Sequence, residues 1–147
     1  MARGAGINPA SARRAVARKL AMQALYRWQI NTAPWQDVVN EFAAEEDMRK
    51  ADRGYFNQLV TAICTGSEAL DVALAAWMDR KPAELDPVER AVLWVGAQEL
   101  RSAPDVPWRV VINEAVGLAK RFGATDSHKF VNAVLDAAAR ELRPHER

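Results

Sequence analysis

The sequence has few of the residues that build metal sites, disulfides or catalytic centres. It contains one cysteine, Cys64, and two histidines, His128 and His145. A single cysteine excludes an intramolecular disulfide and a multi-cysteine metal site. The glycines are scattered and form no phosphate-binding loop, and neither histidine has a nucleophile or a second ligand at a recognisable spacing. We therefore expect no catalytic residue, no metal and no cofactor, and we predict a binding protein.

Long apolar runs and strand patterns are also missing. No segment reaches the ~18 uninterrupted apolar residues of a membrane-spanning helix, and the N-terminus lacks the apolar region and cleavage site of a secretory signal. We therefore expect a cytoplasmic protein that does not bind a membrane. No alternating run with hairpin signals is present, which favours an all-α fold. The 147 residues are 50% hydrophobic and 27% charged, enough for a buried core.

Acidic residues are missing from the first quarter of the chain. Six basic residues and no acidic one precede Asp37, which leaves 14 basic and 19 acidic residues for the rest. The first segment therefore carries +6 and the rest −5, although the whole chain has a net charge of +1. Such a block usually meets phosphate on RNA, DNA or an anionic membrane. The alternative is a solvated helix face, but such faces normally mix both signs.

Helical periodicity organises the N-terminal half. Residues 1–10 have no periodicity and are predicted to form a mobile arm. Ser11 is the predicted N-cap of a first helix, which Pro34 ends. A short helix follows. Residues 55–78 form a long apolar-periodic segment, bent near Gly66, which we predict to be the central helix.

Two prolines mark a boundary near the middle of the chain. Pro82 and Pro87 bracket a short connection. We therefore predict one all-helical domain over residues 11–147, with an N-terminal half of residues 11–81 and a C-terminal half of residues 82–147. Together the halves contain about six or seven helices.

The C-terminal half carries clear helix start and stop signals. Asp86 can cap a helix in which Glu89 takes the third position of a capping box. A later helix is predicted to end at Gly123 in a left-handed conformation. The last helix is expected to be capped by Thr125 or Asp126.

The first helix has a second apolar stripe opposite its core face. Met22, Tyr26 and Ile30 follow one another at intervals of four residues. Arg18 and Lys19 flank this stripe. Because an unpaired buried charge is expensive, we predict that the stripe is exposed and reserved for a partner.

Basic and aromatic side chains together are suited to single-stranded RNA. Cations along one side of a helix can follow a phosphate backbone, and aromatic side chains stack on unpaired bases. The candidate cations are Arg13, Arg14, Arg18 and Lys19. The candidate aromatic residues are Tyr26, Phe122 and Phe130. An aromatic residue at helical spacing is more often part of the core, and this alternative stays open.

Three motifs carry a resemblance to a known family. They are ARKLAMQALYRWQ, LDPVERAVLWVGAQEL and DVPWRVVINEAVGLAKRFGATDSHKFVNAVLD. Together they resemble the NusB family of transcription antitermination factors, over about residues 13–144. The resemblance implies a compact, all-helical protein of two halves with three to four helices each, which is not an enzyme.

The resemblance also implies a role in transcription regulation. Members of the family bind the boxA sequence of nascent RNA. They act with NusE, a ribosomal protein of the small subunit, to load RNA polymerase with antitermination factors, notably on ribosomal RNA operons. We therefore expect boxA RNA and NusE as direct partners, and the RNA polymerase antitermination complex as an indirect one.

Roles for single residues follow from the same resemblance. The arginine-rich stretch of the family matches Arg13, Arg14 and Arg18, the expected RNA contacts, whereas Ala15 and Val16 stand where members can have further arginines. The positions near the RNA path at the C-terminal motif are Phe122, Asp126, Lys129 and Phe130. The expected contacts to NusE are Met22, Tyr26, Ile30 and Glu89. We hypothesise that Asp126 caps the last helix and restrains RNA affinity.

Two alternatives to RNA binding remain open. The first is a helical scaffold whose basic helix binds an acidic protein. The second is a homodimer whose interface buries that helix. Salt and sequence dependence of RNA binding would separate the first alternative from an RNA-binding factor, and sizing in solution would address the second.

Overall fold

The computed structural model describes residues 9–31 and 33–146. Within these residues the chain forms seven α-helices and no strand, which confirms the predicted all-α class. The helices are α1 (Pro9–Ile30), α2 (Trp35–Ala43), α3 (Arg53–Thr65), α4 (Ser67–Ala75), α5 (Pro87–Ser102), α6 (Trp108–Phe122) and α7 (Ser127–Leu142). Two short 3-10 helices, Glu46–Lys50 and Pro82–Glu84, lie in the connections. None of the described helices is long and apolar enough to cross a membrane.

The first helix begins earlier than the sequence indicated. Pro9 and Ala10 are already helical, so Ser11 lies inside α1 and its predicted role as N-cap is wrong. Proline is well suited to a first helical turn, because its missing N–H needs no partner there. The rest of the predicted mobile arm, residues 1–8, lies outside the described residues.

The predicted central helix over residues 55–78 is in fact two helices. At Gly66, which separates α3 from α4, φ is −123° and ψ is 21°, so the expected bend is a complete break. The central position belongs to α5 instead, which packs against α1, α3, α4, α6 and α7. Every residue from Ala91 to Ala97 is buried. A helix that is buried all round has no single apolar stripe, which hid its central place from the periodicity.

The buried residues form one hydrophobic core to which all seven helices contribute. The division of the domain into two halves remains a prediction. Cys64 belongs to this core, and burial raises the pKa of its thiol to about 12. At neutral pH the thiol is therefore protonated and unreactive.

The turn between α6 and α7 differs from the prediction in two ways. Gly123 is extended, with φ −89° and ψ 175°, so its predicted left-handed conformation is wrong. Glycine is required there because a Cβ atom would lie 2.7 Å from the carbonyl oxygen of Ala119. The left-handed residue is Asp126, with φ 68°. It occupies the N-cap position of α7, but its side chain makes no capping hydrogen bond, so its predicted capping role is wrong.

The start of α5 confirms one predicted cap and corrects another. The carboxylate of Asp86 accepts hydrogen bonds from the backbone N–H of Val88 at 2.8 Å and of Glu89 at 3.3 Å. Glu89 does not close the capping box. Its carboxylate accepts a hydrogen bond from the hydroxyl of Ser127 at 2.6 Å and so ties the start of α5 to the start of α7.

Candidate functional site

The first turns of α1 carry cations that are already hydrogen-bonded. Arg13 is exposed, and its guanidinium donates to the carbonyl oxygen of Ala51 at 2.8 Å. Arg14 binds the carboxylate of Asp105 at 2.8 Å and lies over the ring of Tyr55, 4.5 Å from its centroid. The hydrogen bond to Asp105 raises the pKa of Arg14 and lowers the pKa of Asp105. Phosphate would have to compete with these partners for both arginines.

Arg18 is buried, which corrects its predicted place among the surface cations. Its side chain is 5% exposed, and its Nε donates to both carboxylate oxygens of Glu99 at 2.8 and 2.9 Å. The carboxylate of Glu114 lies 3.5 Å from Arg18 Nη1. Burial alone lowers the pKa of Arg18, but the hydrogen bond and the charge of Glu99 raise it on balance. Burial of this cation is possible because it is paired.

Lys19 keeps part of its side chain in solvent. Its ammonium group donates to the carboxylate of Asp47 at 2.7 Å, in the 3-10 helix Glu46–Lys50. This hydrogen bond lowers the pKa of Asp47. Lys19 is therefore within reach of a ligand, and its charge is shared with one half-exposed acid.

The second stripe of α1 is only partly exposed. Tyr26 is 40% exposed and Ile30 is 55% exposed, as predicted. Met22 is 1% exposed and packs in the hydrophobic core, so its predicted place on a partner surface is wrong. The seven buried residues of α1 include Arg18 and Met22, because α1 lies deeper in the bundle over its middle turns than at its end.

The aromatic side chains of the C-terminal motif are half-buried, and each has an arginine over its ring. Phe122 and Phe130 both pack at the edge of the core. The guanidinium of Arg121 lies 4.8 Å from the ring centroid of Phe122. The guanidinium of Arg80 lies 4.2 Å from that of Phe130. An aromatic ring and a planar cation together make a surface suited to bases and phosphates.

The remaining charged residues of the motif lie beside these rings. Asp126 and Lys129 are exposed and form an ion pair with a 3.3 Å N–O distance. Glu89 is 9% exposed, and its second carboxylate oxygen lies 3.9 Å from Arg80. Arg80 therefore joins Glu89 to the ring of Phe130, two residues that the sequence could not place together.

Four side chains that modify the predicted site could not be predicted from the sequence. Asp47 and Asp105 hold two of the predicted RNA-binding cations, and Arg80 and Arg121 cover the predicted stacking rings. The sequence indicated only that acidic partners for these cations had to come from the rest of the chain, which carries all the acidic residues.

The chemistry that these groups offer is binding. Within the described residues, no group of three or more His, Cys, Asp or Glu side chains is placed to hold a metal ion. Cations, half-buried rings and two exposed apolar side chains can bind phosphate, unpaired bases and an apolar protein surface.

Comparisons with known proteins agree with this reading. The NusB family model matches residues 15–140. The transcription antitermination protein NusB of Hahella chejuensis is 46% identical over 140 residues, covering 95% of this chain and 94% of the relative. The protein of the same name from Alcanivorax borkumensis is 49% identical over 138 residues, covering 92% of this chain and 91% of the relative.

Solved structures give the same family. T. maritima NusB matches with a TM-score of 0.78 and 26% identity, over 87% of this chain and 91% of that chain. A structure of the antitermination factors NusB and NusE in complex with dsRNA also matches with a TM-score of 0.78 and 26% identity, over 86% of this chain and 96% of that chain.

Proposed function

The chain belongs to the NusB family of transcription antitermination factors, which are not enzymes, and from this premise we propose that it binds boxA RNA together with the ribosomal protein NusE. In this role it supports antitermination on ribosomal RNA operons as part of the RNA polymerase complex. Because it acts on nascent RNA, we propose that it works in the cytoplasm.

The arrangement of α1 carries the proposal. One helix presents Arg13, Arg14 and Lys19 along its first half and an exposed apolar pair, Tyr26 and Ile30, in its last turns. Cations that solvent can reach suit a phosphate backbone, and a pair of exposed apolar side chains suits a protein surface. A single helix can therefore hold RNA at one end and a protein at the other.

The C-terminal motif supports a second RNA-facing edge. Phe122, Phe130 and Lys129 lie at the start of α7 or beside it. Half-buried rings with a guanidinium on one face offer stacking and charge together, which is typical of sites for unpaired RNA.

Glu89 is the one proposed contact to NusE besides the apolar pair of α1. Tyr26 is shared between the RNA and NusE, and Glu89 offers a carboxylate oxygen beside Arg80. The solved complex of NusB and NusE with dsRNA supports this choice of partners, because it contains both. Met22 is not among the proposed contacts, since it is buried.

The proposal is tested by titrating a short boxA RNA and a scrambled RNA of equal length, with and without NusE, at two salt concentrations. We expect a preference for boxA, a gain in affinity with NusE and a fall with salt. Arg14→Glu should weaken boxA binding about tenfold, because it reverses a charge on the phosphate path. Arg101→Glu, on an exposed part of α5, is the matched control with the same change of charge, and it should bind nearly as the wild type does.

Equal, weak binding of both RNAs by the wild type would overturn the proposal. It would favour a helical scaffold whose basic helix binds an acidic protein. Light scattering of the same samples tests the remaining alternative: a homodimer that dissociates on mixing with RNA would place α1 in its interface.

Asp126 is proposed to restrain RNA affinity through its charge, although it does not cap α7. It pairs with Lys129 at 3.3 Å and lies beside the proposed RNA path. Asp126→Asn should bind boxA RNA more tightly, because it frees Lys129 and removes a repelling charge. Asparagine also tolerates the left-handed conformation at this position, so the fold should be unchanged. Unchanged affinity in the same titration would rule out the restraint.

A further inference from the structure

A groove of about 270 Å³ runs between α1 and α6. Its α1 wall includes Ala15 and Val16, and its α6 wall includes Gly117 and Leu118. The groove is open because three of these four side chains are small or absent. At Gly117 a Cβ atom would meet no other atom within 4 Å, so the helix faces open space there.

Two cations lie at this groove. Lys19 lines it from α1 and Arg121 from α6. In the described part of the chain Arg121 forms no ion pair, and its guanidinium lies over the ring of Phe122. The ammonium group of Lys19, in contrast, forms an ion pair with Asp47. Arg121 therefore has a positive charge that no acid among the described residues pairs with, unlike Arg14 or Arg18.

The inner wall carries the opposite charge. Glu114 lines the groove, and its carboxylate is 3.5 Å from Arg18, which Glu99 already neutralises. A phosphate deep in the groove would be repelled by this carboxylate. Ala15, Val16 and Leu118 make the remaining walls apolar, so a neutral group with an apolar surface is the ligand that fits beside Glu114.

We propose that the groove between α1 and α6 binds one unpaired base of the RNA, with Lys19 and Arg121 contacting the phosphates on either side of it. The inference rests on the proposed function and adds a subsite to it. The aliphatic side chains of Val16 and Leu118 contact the faces of the base, and the ring of Phe122 continues the path towards α7. The small volume suits a single base, since sites for larger ligands start at roughly 300 Å³.

Gly117→Leu tests whether the groove is used. The new side chain fills the groove without a clash at its Cβ atom, so the melting temperature should not fall. We expect boxA RNA to bind about tenfold more weakly, because the new side chain excludes the base and the loss of about 1.4 kcal/mol of contact energy is a tenfold change in affinity. Gly117→Ala is the matched control, because a methyl group leaves most of the groove open, and it should bind nearly as the wild type does.

Arg121→Gln tests the phosphate contact. The slope of log affinity against log salt concentration should decrease by about 0.7, the value for one phosphate of a single strand. Arg101→Gln, which does not line the groove, should leave the slope unchanged. In the wild type, the amide resonance of Gly117 should shift on addition of RNA, and that of the buried Gly96 should not.

The outcomes separate this inference from the function on which it rests. If boxA is preferred and Arg14→Glu weakens binding, but Gly117→Leu and Arg121→Gln bind as the wild type does, the groove is not a subsite and the antitermination function stands. If the wild type has no preference for boxA, both proposals are overturned. If Gly117→Leu weakens binding and is folded, the groove holds the RNA.

Discussion

At the scale of single residues, the contact that fixes α1 in the bundle is the buried pair of Arg18 and Glu99. Glu99 is 1% exposed and accepts hydrogen bonds from Arg18 and from the hydroxyl of Tyr55. Three helices, α1, α3 and α5, therefore meet at one carboxylate. Burial raises the pKa of Tyr55, and the charge of Glu99 raises it further, so its hydroxyl remains a donor at neutral pH.

Glu99→Gln should lower the free energy of unfolding by about 3 kcal/mol, because it leaves a buried arginine without its charge partner. This value is at the lower end of the usual range, since Glu114 remains near Arg18. The glutamine can still accept from Tyr55, so the loss reports the charge. Urea unfolding is the measurement. The double variant Arg18→Met, Glu99→Gln should recover part of the lost free energy of unfolding, because no buried charge remains unpaired. A loss in the double variant equal to the sum of the losses in the two single variants would show that the two side chains do not interact.

Of the local caps that the sequence predicts, Asp86 is confirmed and Ser11 and Asp126 are wrong, and partners distant in the chain could not be predicted. Asp86 could be predicted as a cap because the two N–H groups that donate to its carboxylate lie only two and three residues further along the chain. Burial of Arg18 could not be predicted, because its partner is 81 residues away in the chain. For the same reason Arg80 could not be placed over Phe130.

At the scale of helices, periodicity predicted that the elements exist, but not how each is placed. The exposed pair Tyr26 and Ile30 follows from spacing, and glycine predicts a bend near Gly66, where the structure has a complete break. The depth of α1 in the bundle does not follow from spacing, and the spacing therefore wrongly predicts that Met22 lies on the surface. Periodicity describes which side chains share a face, and it does not say how many other helices cover that face.

The two glycines inside α5 and α6 should respond in opposite ways to the same substitution. At Gly117 an added methyl group meets open space, so Gly117→Ala should stabilise the protein by up to about 1 kcal/mol through helix propensity. At Gly96 the methyl group would lie 2.6 Å from Leu135 Cδ1, so Gly96→Ala should cost about 1–3 kcal/mol through overpacking of α5 against α7.

Thermal unfolding of the two alanine variants beside the wild type measures this difference. We expect the melting temperature to rise for Gly117→Ala and to fall for Gly96→Ala. A fall in both would mean that α6 requires glycine for a reason other than space, and the open groove beside it would then need another explanation.

At the scale of the whole molecule, the charge asymmetry of the sequence is largely balanced in the fold. The basic first segment meets acids from other elements: Arg14 binds Asp105, and Lys19 binds Asp47. The same +6 block that predicted phosphate binding therefore also holds α1 in place. Net charge along the sequence could predict attraction to phosphate, but it could not show that the acids of the same chain compete for these cations.

This balance predicts a loss of stability in acid. Contacts with Lys19 and Arg14 lower the pKa values of Asp47 and Asp105 below the ordinary 3.8. The hydrogen bond from the backbone N–H of Trp108 lowers the pKa of Glu146 below 4.5, and the hydrogen bond from Arg143 lowers it further. Since the folded state favours the charged carboxylates, these ion pairs stabilise the fold fully at a pH above the ordinary pKa values of the carboxyl groups. The stabilisation is lost as the pH falls through the lower pKa values that these groups have in the folded protein.

We expect the free energy of unfolding, measured with urea, to be nearly constant between about pH 5 and pH 8 and to decrease below about pH 4. The double variant Asp47→Asn, Asp105→Asn should decrease less steeply than the wild type, whereas an equal slope would show that these ion pairs do not couple the fold to pH.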